Sequence, residues 1–352
     1  MTESVQRVKS AASVPDAARL AAYLGGRLAG VGGGVAVEPL GGGQSNPTFL
    51  LTTAAGRYAL RTKPGRAAEL LPSAHQIERE FRVLAALAGS GVPVPRVHVL
   101  CTDEDVIGRA FYVMDFVDGR VFQDPRLPEL GRAERGALFA DMNRVLARLH
   151  GLDYAALGLG DFGKPGDYLA RQIARWSKQY RASETEPIEA MDRLIEWLPG
   201  RVPRAESTAL VHGDFRLDNL VIDAREPKVV GVLDWELSTL GSPLADFSYH
   251  CCVFHFPAGR HRGLGDVDPA VLGIPTEAEY VASYCRNTGR AAIGDWDYYL
   301  AYNFFRMAAI VQGIRKRAEL GTAAAANALE FGRGARLLAE LGWQRALRVG
   351  AG

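Results

Sequence analysis

His212-Gly213-Asp214-Phe215-Arg216-Leu217-Asp218-Asn219, with Asp234 fifteen residues beyond, is the segment whose reading decides the fold. It supplies a carboxylate, an amide oxygen and a second carboxylate, set among short apolar runs at 208–211, 219–223 and 228–233 that read as strands. An aspartate five residues before an asparagine on a loop lets one group face a nucleophilic hydroxyl while the other reaches a metal. Phosphoryl transfer asks for these groups: Asp214 to accept or orient the substrate proton, Asn219 and Asp234 to hold Mg²⁺ against the phosphates of ATP. His212 reads as an organiser of the loop and not as a base. The competing reading is a β-hairpin whose turns happen to be rich in Asp and Asn, as turns often are.

Outward from this segment the chain has two characters. Toward the N-terminus, a helix is expected over Pro15–Leu28, started by Ser13 or Asp16 and closed by Gly32-Gly33-Gly34. Strand-like runs follow at 35–40, 47–53 and 57–62, then a helix over 74–88 with Ile77, Phe81, Leu84, Ala85 and Leu87 at helical spacing. Two more strands are expected at 96–101 and 110–117. After Gly119 helical patterns dominate, at 131–150, 165–182, 188–198, 276–289, 294–318 and 322–342, while 256–275 reads as one long loop. The order gives an α+β chain with a small N-terminal lobe of antiparallel strands and one main helix, residues 1–117, and a larger, mostly helical lobe, residues 118–352.

Composition excludes several classes. A chain of 352 residues is long enough for two lobes. A formal charge of +1 gives no reason to expect nucleic acid as a partner. The longest apolar runs are broken by Arg306 and Gln312, so no membrane span is expected. The first twenty residues lack the apolar core of a secretory signal, and four cysteines without framework spacing suit a reducing cytoplasm. His250-Cys251-Cys252 with His255 does not have zinc-ligand spacing.

The run VHGDFRLDNLVID with VVGVLDWELSTLGSPLADF resembles the catalytic core of the aminoglycoside phosphotransferase-like superfamily, which shares the protein-kinase fold. GGGQSNPTFLL, YALRTKPG, LLPSAHQIEREFRVLAAL, VPVPRVHVLCTDEDVIGRAFYVMDFVDGR and RQIARWSKQYRAS follow the same family order over about residues 38–320. Within the superfamily the chain most resembles kinase-like domains that stand alone in bacteria and precede acyl-CoA dehydrogenase domains in animals. The resemblance implies a bilobal kinase fold, use of ATP with Mg²⁺, and a small-molecule alcohol as acceptor.

It also implies roles for further residues. Gly43, Ser45 and Asn46 lie in a Gly-rich turn where backbone can approach phosphate oxygens. Tyr58-Ala59-Leu60-Arg61 aligns with the protein-kinase Val-Ala-Ile-Lys pattern and puts Arg61 on the α- and β-phosphates, with Lys63 on the same strand face as the alternative. Glu80, on the following helix, would orient Arg61, unless it is a surface acid in a charged run. Asp115, Phe116 and Val117 stand at the interlobe hinge, where backbone groups would read adenine. Arg216 stands where kinases place a lysine near the transferred phosphate, and Asp246 where the family has an aspartate supporting the catalytic loop. Trp235 and Glu236 replace the Phe-Gly of protein kinases, so a phosphorylation-switched activation segment is not indicated.

For the acceptor, Arg171, Arg175, Trp176 and Tyr180 on one helix and Arg306 on another are candidates, as against core aromatics and solvated charges. Arginines and aromatics suit an acidic or acyl-bearing alcohol, such as a hydroxy acid or hydroxyacyl-CoA, better than a polycationic aminoglycoside. Two other readings stay open: an antibiotic phosphotransferase, and a nucleotide-binding module without catalysis.

Overall fold

The computed structural model describes residues 13–41, 46–64, 76–204, 207–258, 263–322 and 328–351. The chain divides into two compact units, Met1–Val121 with Asn219–Ser238, and Phe122–Asp218 with Thr239–Gly352. The first unit thus takes in the segment 219–238 as well, where the sequence suggests a single cut after Val117.

In the first unit, β1 (Ala36–Pro39), β2 (Thr48–Thr53), β3 (Gly56–Thr62), β4 (Val97–Cys101) and β5 (Phe111–Asp115) form an antiparallel sheet in the order β1-β2-β3-β5-β4. Side chains alternate across it, as the strand period requires. Phe49, Leu51, Leu60, Phe111 and Val113 pack with Leu20, Leu24 and Leu28, while Arg61 and its register partner Tyr112, next in sequence to those core residues, fall on the opposite face of the sheet. Helix α1 (Ala17–Leu24) begins where Asp16 Oδ1 accepts from the Ala18 and Arg19 amides, a cap that satisfies otherwise orphan donors. It ends at Gly25-Gly26, short of the expected Leu28, because Gly26 adopts a left-handed φ of 74° that stops the helix. Helix α2 (Ile77–Leu87) buries Ile77, Glu80, Val83, Leu84 and Leu87, one stripe with an acid in it.

The hairpin of β7 (Leu220–Ile222) and β8 (Val229–Val232) belongs to the same unit. It is bonded to the chain after β5 by the paired amides and carbonyls of Arg120 and Ile222. Gly119 permits that approach: a Cβ there would lie 2.3 Å from the Ile222 carbonyl oxygen.

The second unit is built around helices α3 (Arg132–His150), α4 (Tyr168–Ser183), α5 (Glu189–Trp197), α6 (Pro243–Cys251), α7 (Pro269–Leu272), α8 (Glu277–Thr288), α9 (Trp296–Glu319), α10 (Ala328–Gly332) and α11 (Ala335–Arg348). Helix α9 is central, packed by α4, α6, α10 and α11, and every residue from Tyr298 to Arg306 is buried. A two-stranded ladder joins β6 (Ala209–Val211) to β9 (Thr239–Gly241), and the His212–Asn219 segment follows β6 directly.

Four local expectations need correction. Helix α6 and strand β9 were not expected; α6 is started by Ser242 Oγ, which accepts from the Ala245 amide, with Pro243 at its first position. The 256–275 stretch carries the short helix α7, capped by Asp268. The expected helix at 322–342 is instead two helices broken near Gly332 and Gly334. A Cβ on Gly332 would lie 2.5 Å from the Arg315 Cβ, so glycine allows the close packing there.

Candidate active site

In the first unit the sheet and α2 build a buried charge cluster from residues far apart in sequence. Arg61 Nε lies 2.7 Å from Glu80 Oε2, and Arg61 Nη2 donates to Asp234 Oδ1 at 2.6 Å. Glu80, only 1% exposed, also accepts from Asn46 Nδ2 at 2.7 Å and from the Tyr112 hydroxyl at 3.0 Å. Burial pushes the Glu80 carboxyl up, with the Asp234 charge adding, while Arg61, Tyr112 and Asn46 pull it back. Glu236 stands 3.8 Å from Arg61. Lys63 is turned to another partner, Glu78, at 2.5 Å. Gly43 and Ser45 lie outside the described residues.

The β7–β8 hairpin brings Asn219 and Asp234 to the same end of a ladder. Leu220 pairs with Val232, and the Leu233 amide donates to the Asn219 carbonyl at 2.9 Å. Asp234 takes a left-handed φ of 64°, a conformation that Asp tolerates better than most residues and that recurs at functional positions. Mg²⁺ is held by one or two carboxylates together with phosphate oxygens and waters. Asn219 and Asp234 supply oxygen ligands of that kind, and Arg61 occupies only Oδ1 of Asp234. Among the described residues no group of three or more His, Cys, Asp or Glu forms a ready-made cage.

At the hinge positions, the Asp115 amide donates to the Arg96 carbonyl and the Phe116 amide to the Arg57 carbonyl. The Asp115 side chain meets His98 at 2.5 Å, and Phe116 lies under the Arg57 guanidinium.

In the second unit the segment from His212 to Asp218 is held by its backbone. Asp246, buried on α6, accepts from the His212 and Gly213 amides at 2.8 Å each, and from His150 at 3.1 Å. Burial alone would raise its carboxyl, but His150, His212 and the amide hold it below the usual carboxylate range. Gly213 has a φ of 83°, suited to glycine. The Asp214 amide donates to His212 Nδ1 at 3.2 Å, so His212 organises the turn. Asp214 Oδ1 accepts from the Tyr249 hydroxyl at 2.5 Å. Arg216 forms a two-pronged pair with Asp218 and leaves half of its side chain exposed.

The acceptor candidates scatter. Tyr180 is fully buried in the core of the unit, which corrects its placement at a substrate surface: on α4 its position falls on the stripe with Leu169 and Ile173. Arg171 donates to the carbonyls of Lys164 and Gly166, its own approach loop. Arg175 and Arg306 both face the Trp176 ring, at 5.3 and 6.0 Å. Arg306 is 9% exposed and donates from Nη2 to the Gly213 carbonyl at 3.0 Å, so it holds the catalytic loop instead of lining an open surface. Two residues that the sequence does not single out for the site belong here: Tyr112, the register partner of Arg61 on β5, and Tyr249, one helical turn beyond Asp246. His250, Cys251, Cys252 and His255 are occupied by packing; His250 bonds to Tyr280 and His255 to Glu277 and Arg345.

The profile of the phosphotransferase enzyme family matches residues 36–297, most of the chain. The chain belongs to that family, and its α+β architecture is the kinase-like fold. Among its relatives, it is 49% identical over 310 residues to acyl-CoA dehydrogenase family member 10 of Mus musculus, a match covering 88% of this chain and 29% of that protein. A Ralstonia eutropha protein provisionally named an aminoglycoside phosphotransferase is 51% identical and superposes with a TM-score of 0.87 over 95% of this chain and 99% of its own. An aminoglycoside phosphotransferase solved with AMP-PNP and hygromycin B shares the fold at a TM-score of 0.61 and 15% identity, over 94% of this chain and 99% of the other. The chain spans less than half the length of the curated relatives it matches. No helix among the described residues is long and apolar enough to cross a membrane.

Proposed function

We propose that this chain transfers the γ-phosphoryl group of ATP to an alcohol, and that the alcohol is an anionic or acyl-bearing hydroxy compound, of the hydroxy acid or hydroxyacyl-CoA type. In this reading Asp214 takes the acceptor's proton as the oxygen–phosphorus bond forms and the bond to ADP breaks. Arg216 meets charge developing on the transferred group. Arg61, oriented by Glu80, grips the nonreacting phosphates, and the Val117 amide is offered to adenine. Asn219 and Asp234 are the ligands for Mg²⁺, which when bound neutralises phosphate charge. The residues 1–117 would then grip the nucleotide and 118–352 carry the acceptor chemistry, with Asn219 and Asp234 numbered in the latter but folded with the former.

The observation that carries the acceptor class is the charge around Asp214. Its named neighbours are Tyr249, Arg216 and Arg306, with Trp176 against Arg306 and Arg175 against Trp176. Arg216 is balanced by Asp218 and Arg306 is buried, so these neighbours offer a polycation no surplus of carboxylates. The acyl-CoA dehydrogenase name of the mouse relative supports an acyl-bearing acceptor.

Incubation with Mg-ATP and a panel of hydroxyacyl-CoAs, hydroxy acids and aminoglycosides, read by product mass, tests the reading. Phosphate transfer to the acyl compounds is expected; transfer to kanamycin-type compounds alone would sink the acceptor class. Asp214→Asn should lower turnover by about two to four orders of magnitude and leave ATP binding, read by thermal shift, in place.

A further inference from the structure

The carboxylate at the centre of the proposed chemistry is held from α6 at two levels. Asp246 fixes the backbone of His212 and Gly213, and Tyr249, three residues on and so on the same helix face, donates its hydroxyl to Asp214 Oδ1 at 2.5 Å. Arg306 ties these levels together. Its guanidinium lies over the Tyr249 ring at 5.3 Å and donates to the Gly213 carbonyl at 3.0 Å. Among the groups acting on Asp214 are Tyr249 from α6, Arg306 from α9, and His212 and Arg216 from its own loop. Burial, reinforced by the Asp214 charge, pushes the Tyr249 phenol well above its ordinary range, so its hydroxyl stays a donor at working pH.

We propose that Tyr249 is a positioning residue for phosphoryl transfer: its hydroxyl fixes the rotamer of the Asp214 carboxylate for the acceptor, while Arg306 holds the tyrosine and Gly213 together. The inference rests on the reading of Asp214 given above. Tyr249 keeps its own proton throughout; the acceptor's proton goes to Asp214. A carboxylate already held in one rotamer meets the acceptor without first being ordered, and loss of such positioning costs rate more than binding.

Tyr249→Phe removes the hydroxyl and retains the ring under Arg306. The first measurement needs no acceptor: a ¹³C titration of aspartate γ-carboxyls in the full chain, with the Asp214 signal assigned by its loss in Asp214→Asn. A hydrogen bond from a neutral donor favours the ionised carboxylate, so the Asp214 midpoint should move up by about one pH unit in Tyr249→Phe. The second measurement is turnover of Mg-ATP with water as acceptor and with the hydroxyacyl-CoA panel. There kcat should fall about tenfold to a hundredfold with KM for ATP unchanged. A midpoint equal to that of the parent overturns the proposal, whatever happens to rate, because packing alone would then explain the tyrosine. If Asp214→Asn is inactive and Tyr249→Phe matches the parent in both measurements, only the role of Tyr249 falls. If Asp214→Asn turns over normally, the reading of Asp214 falls and this inference with it.

Discussion

Around Arg61 one guanidinium faces three carboxylates, Glu80, Asp234 and Glu236, at 2.7, 2.6 and 3.8 Å. Around Asp214 one carboxylate meets the Tyr249 hydroxyl and the charges of Arg216 and Arg306. The first cluster is short of positive charge, which suits a divalent cation and its phosphates. In the second, Asp214 and Asp218 stand against Arg216 and Arg306, so its named charges balance and leave no surplus of carboxylates for a polycation. They also differ in how they are held. The Arg61 cluster is made of side chains from β3, β5, α2 and the end of the β7–β8 hairpin, each opposed to another. The Asp214 loop is made of backbone: two amides on Asp246 and one carbonyl on Arg306. Removing a member should therefore have different consequences in the two places.

The largest effect is expected at Arg61. Arg61→Met leaves Glu80 buried with no cation, and breaking a buried ion pair from one side costs about 3–5 kcal/mol. Urea denaturation would read this as a lower midpoint. The double variant Arg61→Met with Glu80→Gln should recover part of the loss, because the uncompensated charge goes with its partner. A double variant less stable than Arg61→Met would break the picture of a charge-balanced cluster.

Asp246→Asn comes next. An asparagine offers one acceptor oxygen where two amides point, and its own NH₂ meets the other, so about 1.5–3 kcal/mol should go at neutral pH. The pH dependence separates this from a packing defect. Because the native Asp246 carboxyl is held below its usual range, its contribution is fully present above the unfolded value of about 4 and is lost as pH falls through the native one. The stability gap between parent and variant should narrow as pH falls below about 4. A gap of constant size down to acid pH would contradict the ionised cage.

Arg306→Met is expected to cost less than Arg61→Met, about 1–3 kcal/mol, since it orphans the Gly213 carbonyl and no buried carboxylate. Equal losses at Arg61 and Arg306, measured by urea unfolding under one set of conditions, would erase the distinction between the two regions.

How much of this was legible in the sequence follows from the same distinction. Arg61, Glu80, Asn219 and Asp234 carry their chemistry in their side chains, and regular strand and helix spacing placed them. Strands β1 to β5 lie within about two residues of the expected ranges; β2 alternates in burial and β5 runs apolar, the two patterns that mark a strand. Tyr249 could not be found without α6. The start of that helix is hidden in the sequence because Ser242-Pro243 reads with the motif and not as a cap, and because its buried positions leave no polar face to set a period. Strand β9 has three residues, too few for a period to show. Tyr180 and Arg306 were misjudged for one reason: α4 and α9 bury faces that carry polar tips. A sequence does not say whether such a tip points to solvent or to a carbonyl.

The smallest effect is expected at Arg171, and it tests whether an arginine beside the acceptor helix matters by its charge or by its aim. Arg171 stands four residues before Arg175, on the side of α4 that the sequence offered to the acceptor. Its guanidinium instead donates to the Lys164 and Gly166 carbonyls on the loop that enters the helix, in surroundings open to water. Solvent can replace those bonds, so Arg171→Ala should change stability by no more than about 0.5 kcal/mol. It should also leave kcat and KM for the best hydroxyacyl-CoA of the panel unchanged. Arg175→Ala, which removes the guanidinium over Trp176, is the matched comparison and should raise that KM while sparing KM for ATP. If Arg171→Ala raises the acceptor KM as much as Arg175→Ala does, the field of the whole helix recruits the acceptor, and the contacts around Trp176 do not select it.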